Sequence, residues 1–300
     1  MPDGAPPGAA GGLVAARSQI RSRRRRVVRI LLVWAGLIPF LVIVLFPVTW
    51  MTITAFKDEA DLYRMGQVPF FFNLPPSLKH FRLLFTQTWF GAWAVNTALV
   101  AAWVVAITLA LAVPAAYALA RLRMPAATGT GIAIFMTYLV PPIILFLPLT
   151  RVVAALGVWD SWWALVLVYP TFTIPFCTWL MMGFFRSVPL EIEEAAWVDG
   201  CGRIGGIFRV VLPLSMPGIV TTGFIACTLS MHEYLYAVVY SSPMDQKVIS
   251  VGLPTMLIRG DIFFWGALMA GALLIGLPMA LLGALFIDRF VAGLSAVPGR

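Results

Sequence analysis

The stretch from Ile30 to Phe56 carries no charged side chain, and five further long apolar runs follow it along the chain. A helix that crosses the hydrocarbon core of a bilayer needs about 20 predominantly apolar residues. Charged residues make up 11% of the chain, whereas soluble domains usually carry roughly 25%. The pattern therefore predicts an all-α, polytopic membrane protein, because helices satisfy their backbone hydrogen bonds without water.

Six membrane-spanning helices are predicted. The first follows a basic stretch, but its apolar core is too long for a secretory signal peptide. The third contains Pro141-Pro142, which predicts a kink or a break. The predicted spans are Ile30–Phe56, Gly91–Leu119, a run between Arg123 and Arg151, Ser161–Phe185, a run from Pro213 towards Tyr240, and Ile262–Ile287.

The positive charges predict how the chain lies in the membrane. Seven arginines fall between Arg17 and Arg29, and basic residues concentrate on the cytoplasmic side of membrane proteins. With the N-terminus in the cytoplasm, 14 of the 21 lysines and arginines lie on that side. We therefore expect a multi-pass protein with both termini cytoplasmic, and we interpret the basic balance as an orientation signal rather than a nucleic-acid site. The expected segments are a disordered basic tail (1–29), a six-helix domain (30–289) with a cytoplasmic loop (187–212), and a cytoplasmic tail (290–300).

Several kinds of chemistry are not supported by the sequence. No segment matches the phosphate-binding pattern GxxxxGK[ST], so we expect ATP hydrolysis to require another subunit. The cysteines Cys177, Cys201 and Cys227 form no CxxC pair, and only two histidines are present. We therefore predict no metal site, no cofactor bound by this chain, and no enzymatic activity of its own.

One long cytoplasmic loop, Val188–Pro213, has two amphipathic halves. Pro189 can open a helix at its first turn, where its missing N–H costs nothing. Glu191, Glu194, Ala195 and Val198 recur at the spacing of one helical face. Gly200 supplies a turn, and Ile204, Ile207 and Phe208 form a second, apolar face. The pattern predicts a compact knob of two short helices that faces the cytoplasm.

The same loop resembles the permease family of ABC importers. The family signature is Glu-Ala-Ala, three residues, Gly, nine residues, then Ile-x-Leu-Pro, and this chain has Glu194-Ala195-Ala196, Gly200, and Val210-Val211-Leu212-Pro213 at those spacings. The single departure, Val for Ile, nearly conserves volume. The resemblance implies the type I permease fold, with the loop as a coupling helix that docks into a groove on the ATPase. The residues that it assigns to this contact are Glu191, Glu194, Ala195, Ala196, Asp199, Gly200, Ile204, Phe208, Leu212 and Pro213.

Shorter segments resemble the carbohydrate branch of this family, in particular the second permease of maltose-type systems. They are Phe56-Lys57, His80-Phe81-Arg82-Leu83-Leu84-Phe85, Asn96 at the start of the second helix, the run from Ala115 to Arg123 with Met124-Pro125 after it, and Gly293-Leu294-Ser295. The resemblance implies transport of a sugar across the cytoplasmic (inner) membrane. It also implies a second, different permease as heterodimer partner, two copies of a cytoplasmic ATPase that bind ATP and Mg, and an extracytoplasmic solute-binding protein, which the outer loop Lys57–Phe90 could contact.

Glu233 is an acid at predicted bilayer depth, where a charge costs at least about 2.5 kcal/mol. Either it lines the translocation path, or the fifth helix ends early and Glu233 lies near the outer interface. The sugar-type family commonly has Trp-Asn-Glu here, whereas this chain has Met231-His232-Glu233. The further candidate path residues are His232, Tyr234, Tyr236 and Asn96.

Other functions stay open at this stage. Glycerol phosphate or another polyol-like solute is an alternative substrate, although a phosphate would favour an arginine in the path and none is predicted at bilayer depth. A secondary transporter with Glu233 as its proton site and a membrane enzyme are alternatives from other classes. The loop signature supports neither of them.

Overall fold

The computed structural model describes residues 9–64, 66, 70–122 and 126–295, and the side chains among them from residue 29 to residue 286. This part of the chain is helical apart from one short hairpin. The helices are α1 (Ala9–Phe56), α2 (Glu59–Leu62), α3 (Lys79–Gln87), α4 (Phe90–Arg121), α5 (Ala127–Tyr138), α6 (Pro142–Ala155), α7 (Trp162–Val168), α8 (Pro170–Ser187), α9 (Leu190–Val198), α10 (Arg203–Gly206), a π-helical turn (Ile207–Val211), α11 (Leu212–Leu214), α12 (Met216–His232), α13 (Leu235–Tyr240), α14 (Ile249–Leu257) and α15 (Trp265–Ser295).

The described helices account for the predicted spans, and two of these are bent. Four segments are long and apolar enough to cross a membrane by themselves: Arg29–Phe56, Phe90–Arg121, Trp162–Ser187 and Trp265–Phe286. Two bent pairs bring the number to six if each pair is one span. Helices α5 and α6 meet at 87°, which confirms the predicted break at Pro141-Pro142. The segment Arg203–Leu214 meets α12 at 72°.

The ends of the chain differ from the expected segments. Helix α1 begins at Ala9, inside the stretch that was expected to be disordered. Alanine and arginine, which are frequent in this stretch, are strong helix formers. Residues 1–8 lie outside the described residues. Helix α15 continues to Ser295, so the expected tail 290–300 is helical as far as that residue, and residues 296–300 lie outside the described part.

The predicted start of the sixth helix at Ile262 is wrong. Ile262 and Phe263 instead pair with Arg259 and Ile258 in an antiparallel hairpin of strands β1 (Ile258–Arg259) and β2 (Ile262–Phe263). The turn between them contains Gly260 at φ +59°, a left-handed conformation that glycine adopts without penalty. The apolar run is thus interrupted by a turn before α15 begins.

Helix α4 lies at the centre of the bundle. Its Thr108 hydroxyl lies 2.6 Å from that of Thr173 on α8, so the two helices share a buried hydrogen bond. The fully buried indole of Trp93 packs directly against Gly252 of α14, where a Cβ would have no room. Trp93 also donates from Nε1 to the carbonyl of Met244 at 2.6 Å. These contacts fix α14, a short helix that sequence analysis did not predict, against the long helices.

The segment between α1 and α4, which is the predicted outer loop and is called the outer segment, is held by charged pairs. Lys57 Nζ lies 3.6 Å from Asp61 Oδ2, and both side chains are buried. Asp61 also accepts from the side chain and backbone N–H of Asn73, and these bonds lower the pKa of its carboxyl, with the Asn73 side chain as the largest cause. Lys79 Nζ lies 2.6 Å from Asp58 Oδ2, and this hydrogen bond is the main reason that the pKa of Asp58 is lowered.

Candidate functional site: the knob before the fifth span and the broken fifth helix

The loop between α8 and α12 forms the predicted knob, residues 188–213. Pro189 stands at the N-cap of α9, with Glu191 and Glu193 in the first turn, where acids favour the positive end of the helix dipole. The helix ends in a Schellman motif, since Cys201 N–H donates to the carbonyl of Ala196 and Gly200 N–H donates to that of Trp197. Gly200 has φ +87°, so the predicted turn at this glycine is confirmed.

One face of α9 is turned away from the protein. Glu191, Glu194, Ala195 and Val198, which the sequence places on one helical face, are all exposed, and Val198 is 87% exposed. Ala196 is buried instead, and Asp199 is exposed at the C-cap. The knob therefore exposes acidic and apolar side chains together on one surface.

The second arm of the knob continues this surface. It consists of α10, the π-helical turn and α11. Ile204 is 72% exposed and Phe208 is 66% exposed, whereas Ile207 is only partly exposed. Leu212 and Pro213 lie where the arm joins the fifth span, with Leu212 partly buried and Pro213 exposed. Large apolar side chains at such exposure mark an interaction surface.

The two arms are held to each other at Trp197. The guanidinium of Arg203 lies 5.7 Å from the centre of the Trp197 ring, a distance typical of a cation–π contact. On the other arm Gly206 lies so close to the indole that a Cβ would stand 3.1 Å from Nε1. The knob is thus a small packed unit rather than a loose loop.

A buried network joins the knob to α4, and sequence analysis did not predict it. Glu193 is only 1% exposed. Its Oε1 accepts a short hydrogen bond from the hydroxyl of Tyr117, and its Oε2 lies 3.5 Å from Arg121 Nε. Arg121 Nη2 also donates to the carbonyl of Val188 at 2.6 Å. The spacing of Tyr117 and Arg121, one helical turn apart, could have indicated a shared partner.

The fifth span is broken at Glu233. Helix α12 ends at His232, and Glu233 has extended backbone angles. Its carboxylate accepts from the backbone N–H groups of Tyr236 and Ala237 at 3.1 and 3.2 Å, so it caps the N-terminus of α13. Its own carbonyl accepts from Ser250 Oγ at 3.0 Å. Glu233 is half-buried, and the helix ends early, as one of the two sequence interpretations required.

Two adjoining cavities follow the broken helix. One, of about 520 Å³, lies among α12, α14 and α15 and is lined by His232, Ser250 and Trp265 among others. The other, of about 640 Å³, lies among α4, α12 and α15 and is mostly apolar. Thr97, Met231 and Met279 line both of them, so the two form one continuous groove along the face of α12.

The predicted path residues do not converge on this groove. His232 lines it, while its Nδ1 lies 2.8 Å from the carbonyl of Thr228. Tyr234 is exposed at the helix break. Asn96 is buried and donates to the carbonyls of Asp245 and Lys247, and Tyr236 is buried and donates to that of Pro142. Asn96 and Tyr236 thus hold the protein's own loop and kinked helix in place.

Some of the residues that suggested the carbohydrate branch can also be located. Tyr117 and Arg121 belong to the network at the knob, whereas residues 123–125 lie outside the described part of the chain. Lys57 is the buried partner of Asp61 in the outer segment. Some of the residues that resemble the carbohydrate branch therefore make contacts within this protein, at the end of α4 and directly after α1.

Comparison with known proteins gives consistent matches. A family described as "Binding-protein-dependent transport system inner membrane component" matches residues 112–296. The chain is 35% identical to the sulfoquinovosyl glycerol transport system permease protein SmoH of Agrobacterium fabrum, over 84% of this chain and 87% of that protein. It is 26% identical to the trehalose/maltose transport system permease protein MalG of Thermococcus litoralis, over 91% and 98%. A crystal structure of a bacterial ABC transporter involved in the import of the acidic polysaccharide alginate has the same fold, with a TM-score of 0.72 at 19% identity over 97% of this chain and 100% of that chain.

Proposed function

Because the chain belongs to the family of binding-protein-dependent transport system inner membrane components, we propose that it is the pore-forming permease of an ATP-driven sugar importer. In this proposal the knob docks on a separate cytoplasmic ATPase, which binds ATP and Mg. A second, different permease completes the pore, two ATPase copies drive it, and an extracytoplasmic binding protein delivers the solute. Both termini lie in the cytoplasm, as the distribution of basic residues favours.

The exposed face of the knob is the observation that supports docking most directly. Val198, Ile204 and Phe208 expose most of their apolar surface on a segment whose two arms already pack against each other at Trp197. Burial of such side chains contributes about 25 cal/mol per Å² of apolar surface. The exposed Glu191 and Glu194 add charge that suits a basic groove and sets the orientation of docking.

The groove beside the broken helix is the proposed part of the path. Its lining combines His232, Ser250 and Trp265 near the break with an apolar stretch deeper in the membrane. A sugar offers polar edges and flat apolar faces, which hydroxyl, imidazole and indole groups suit. In this proposal Glu233 does not contact the solute; it fixes the start of α13, which borders the path, through its hydrogen bonds to backbone N–H groups. Tyr234 is exposed next to it. Movement of the knob would switch this groove between outward and inward access, which requires two packed arrangements of the bundle.

The sugar assignment is supported by the relatives, which include a permease of a sulfoquinovosyl glycerol transport system and one of a trehalose/maltose transport system. ATP-driven uptake by the reconstituted complex with its binding protein, measured for labelled mono- and oligosaccharides and for glycerol phosphate, tests it. We expect uptake of a saccharide and none of glycerol phosphate. Substitution of His232 by alanine should weaken that uptake while the complex still assembles.

Co-purification tests the docking. A tagged chain extracted in mild detergent from its native membrane should elute with an ATPase and a second permease, and Glu194→Lys should reduce the amount of ATPase recovered. Glu59→Lys is the matched control, because Glu59 is an exposed acid in the outer segment. Equal ATPase recovery from both variants, or uptake driven by a proton gradient without an ATPase, would contradict the proposal.

A further inference from the structure

Glu193 differs from the other acids of the knob because it is directed into the protein. Glu191 and Glu194 are exposed, whereas Glu193 is 1% exposed. We propose that Glu193, Tyr117 and Arg121 form a positioning linkage that transmits movement of the knob to α4. This inference rests on the proposed function, since it presupposes that an ATPase moves the knob.

The partners of Glu193 favour a linkage over a purely local role. A buried carboxylate is strongly destabilising unless it is paired and hydrogen-bonded. Here both of its partners, Tyr117 and Arg121, belong to α4 and not to the knob. Among the residues that the structure describes, Glu193 is the side chain of the knob that makes polar contacts with a membrane-spanning helix. A carboxylate that only stabilised the knob would find its partners within it.

Arg121 connects two points of the moving segment at once. Its Nη2 donates to the carbonyl of Val188, directly before α9, and its Nε lies 3.5 Å from Glu193 Oε2. That separation is longer than a charge-assisted hydrogen bond, which is typically 2.7–2.9 Å, and neither atom has another hydrogen-bond partner among the residues that the structure describes. A shift of the knob of less than about 1 Å would close the gap, so the pair can respond to small movements.

Helix α4 reaches from this linkage to the groove. It contains 32 residues and is therefore about 48 Å long. Tyr117 and Arg121 lie in its last two turns, while Thr97, Ala101 and Val105 of the same helix line the larger cavity. The helix continues through Pro114, so a displacement of its end at the knob can reach the wall of the groove along one helix.

The test uses the complete complex in lipid bilayers with two readouts. The first is uptake per ATP hydrolysed, and the second is amide hydrogen exchange of residues 113–121 and of α9 with and without a non-hydrolysable ATP analogue. In the wild type the analogue should change exchange in both segments. In Tyr117→Phe and Glu193→Gln the change should persist in α9 but become smaller in residues 113–121, and uptake per ATP should fall about tenfold, as loss of a charged hydrogen bond predicts.

Further variants separate a linkage from a simple loss of folding. Glu193→Gln keeps an acceptor for the Tyr117 hydroxyl, so it should retain more coupling than Glu193→Ala, and Tyr117→Phe should add nothing in the Glu193→Ala background. Tyr138→Phe, which removes a hydroxyl from α5, and Arg186→Lys, near the cytoplasmic end of α8, are the controls and should leave uptake per ATP unchanged.

Each outcome has a defined meaning. Wild-type coupling in both Tyr117→Phe and Glu193→Gln, or an unchanged response of residues 113–121, would overturn the linkage while the proposed function stands. Loss of the ATPase from the complex in Tyr117→Phe would assign the network to docking, and would also overturn it. A wild-type complex in which the analogue changes neither segment would reject the proposed function itself.

Discussion

Replacement of Gly200 by alanine tests whether the shape of the knob matters for docking. Gly200 has φ +87°, a backbone conformation that costs an L-residue about 1–2 kcal/mol. A Cβ at this position would meet no atom within 4 Å, so the substitution adds no steric clash. The whole effect should therefore be backbone strain at the C′ position of the Schellman motif, which orients the second arm.

Gly202 is the matched control, two residues away in the same knob. A Cβ there would also meet nothing within 4 Å, but its φ is −59°, which alanine adopts freely. Gly200→Ala should thus weaken ATPase binding about 5- to 30-fold, the factor that corresponds to 1–2 kcal/mol. Gly202→Ala should change it by less than about twofold, because alanine fits this conformation without strain.

The assay is titration of the permease complex in lipid nanodiscs with the isolated ATPase. The amount of permease inserted in the membrane should be the same for both variants, since neither site lies in a span. Equal affinities for Gly200→Ala and Gly202→Ala, whether both normal or both weakened, would refute the argument from the positive φ.

Two further predictions concern the rest of the fold. Gly252→Ala should lower the free energy of unfolding of the purified complex by about 1–3 kcal/mol, the usual cost of overpacking, because a Cβ would collide with the buried Trp93 indole. Thermal unfolding measures this change, and Gly91→Ala, where the space is open, should not lower the stability. The outer segment should become more sensitive to protease as the pH falls below about 4, measured by limited proteolysis between pH 6 and pH 3. Hydrogen bonds lower the folded-state pKa of Asp58 and Asp61 below the ordinary value of 3.8, so their contribution is present above that pH and is lost as the pH falls through the folded pKa values. Unchanged cleavage over this range, or acid loosening that persists in Asp58→Asn together with Asp61→Asn, would show that these carboxylates do not control the segment.

The spans and the knob were predictable because their signals are local in sequence. A charge-free run identifies a membrane helix with no knowledge of its neighbours, and the spacing from Glu194 to Pro213 is contained in one loop. The exposed face of α9 follows from helical periodicity alone, and the structure has that face as predicted. The break at Pro141-Pro142 was likewise predictable, since proline removes a backbone donor wherever it stands.

The features that were missed depend on contacts between distant segments. The second strand of the hairpin, Ile262–Phe263, carries no charge and is as apolar as the helix that follows it, so composition did not separate this strand from α15. Asn96 was a candidate path residue, but its amide donates to the carbonyls of Asp245 and Lys247, about 150 residues further along the chain. Tyr236 was also a candidate path residue, but its hydroxyl donates a hydrogen bond to the carbonyl of Pro142, a contact between distant segments that the sequence does not show.

Glu193 illustrates how the two kinds of information combine. By sequence it is one of several acids in the first turns of an amphipathic helix, where a helix dipole would favour any of them. In the structure Glu193 is the acid of this helix that is buried. Burial of a carboxylate costs desolvation free energy, and an exposed carboxylate on the same helix avoids that cost. The helix thus has two acidic faces: Glu191 and Glu194 are exposed on the face for which we propose docking, and Glu193 holds α9 to α4. A knob bound only by its outer face could move without the membrane helices, and a knob bound only by its inner face would have nothing to move it. The proposed coupling requires both attachments, and the three acids that would provide them lie within one turn of α9.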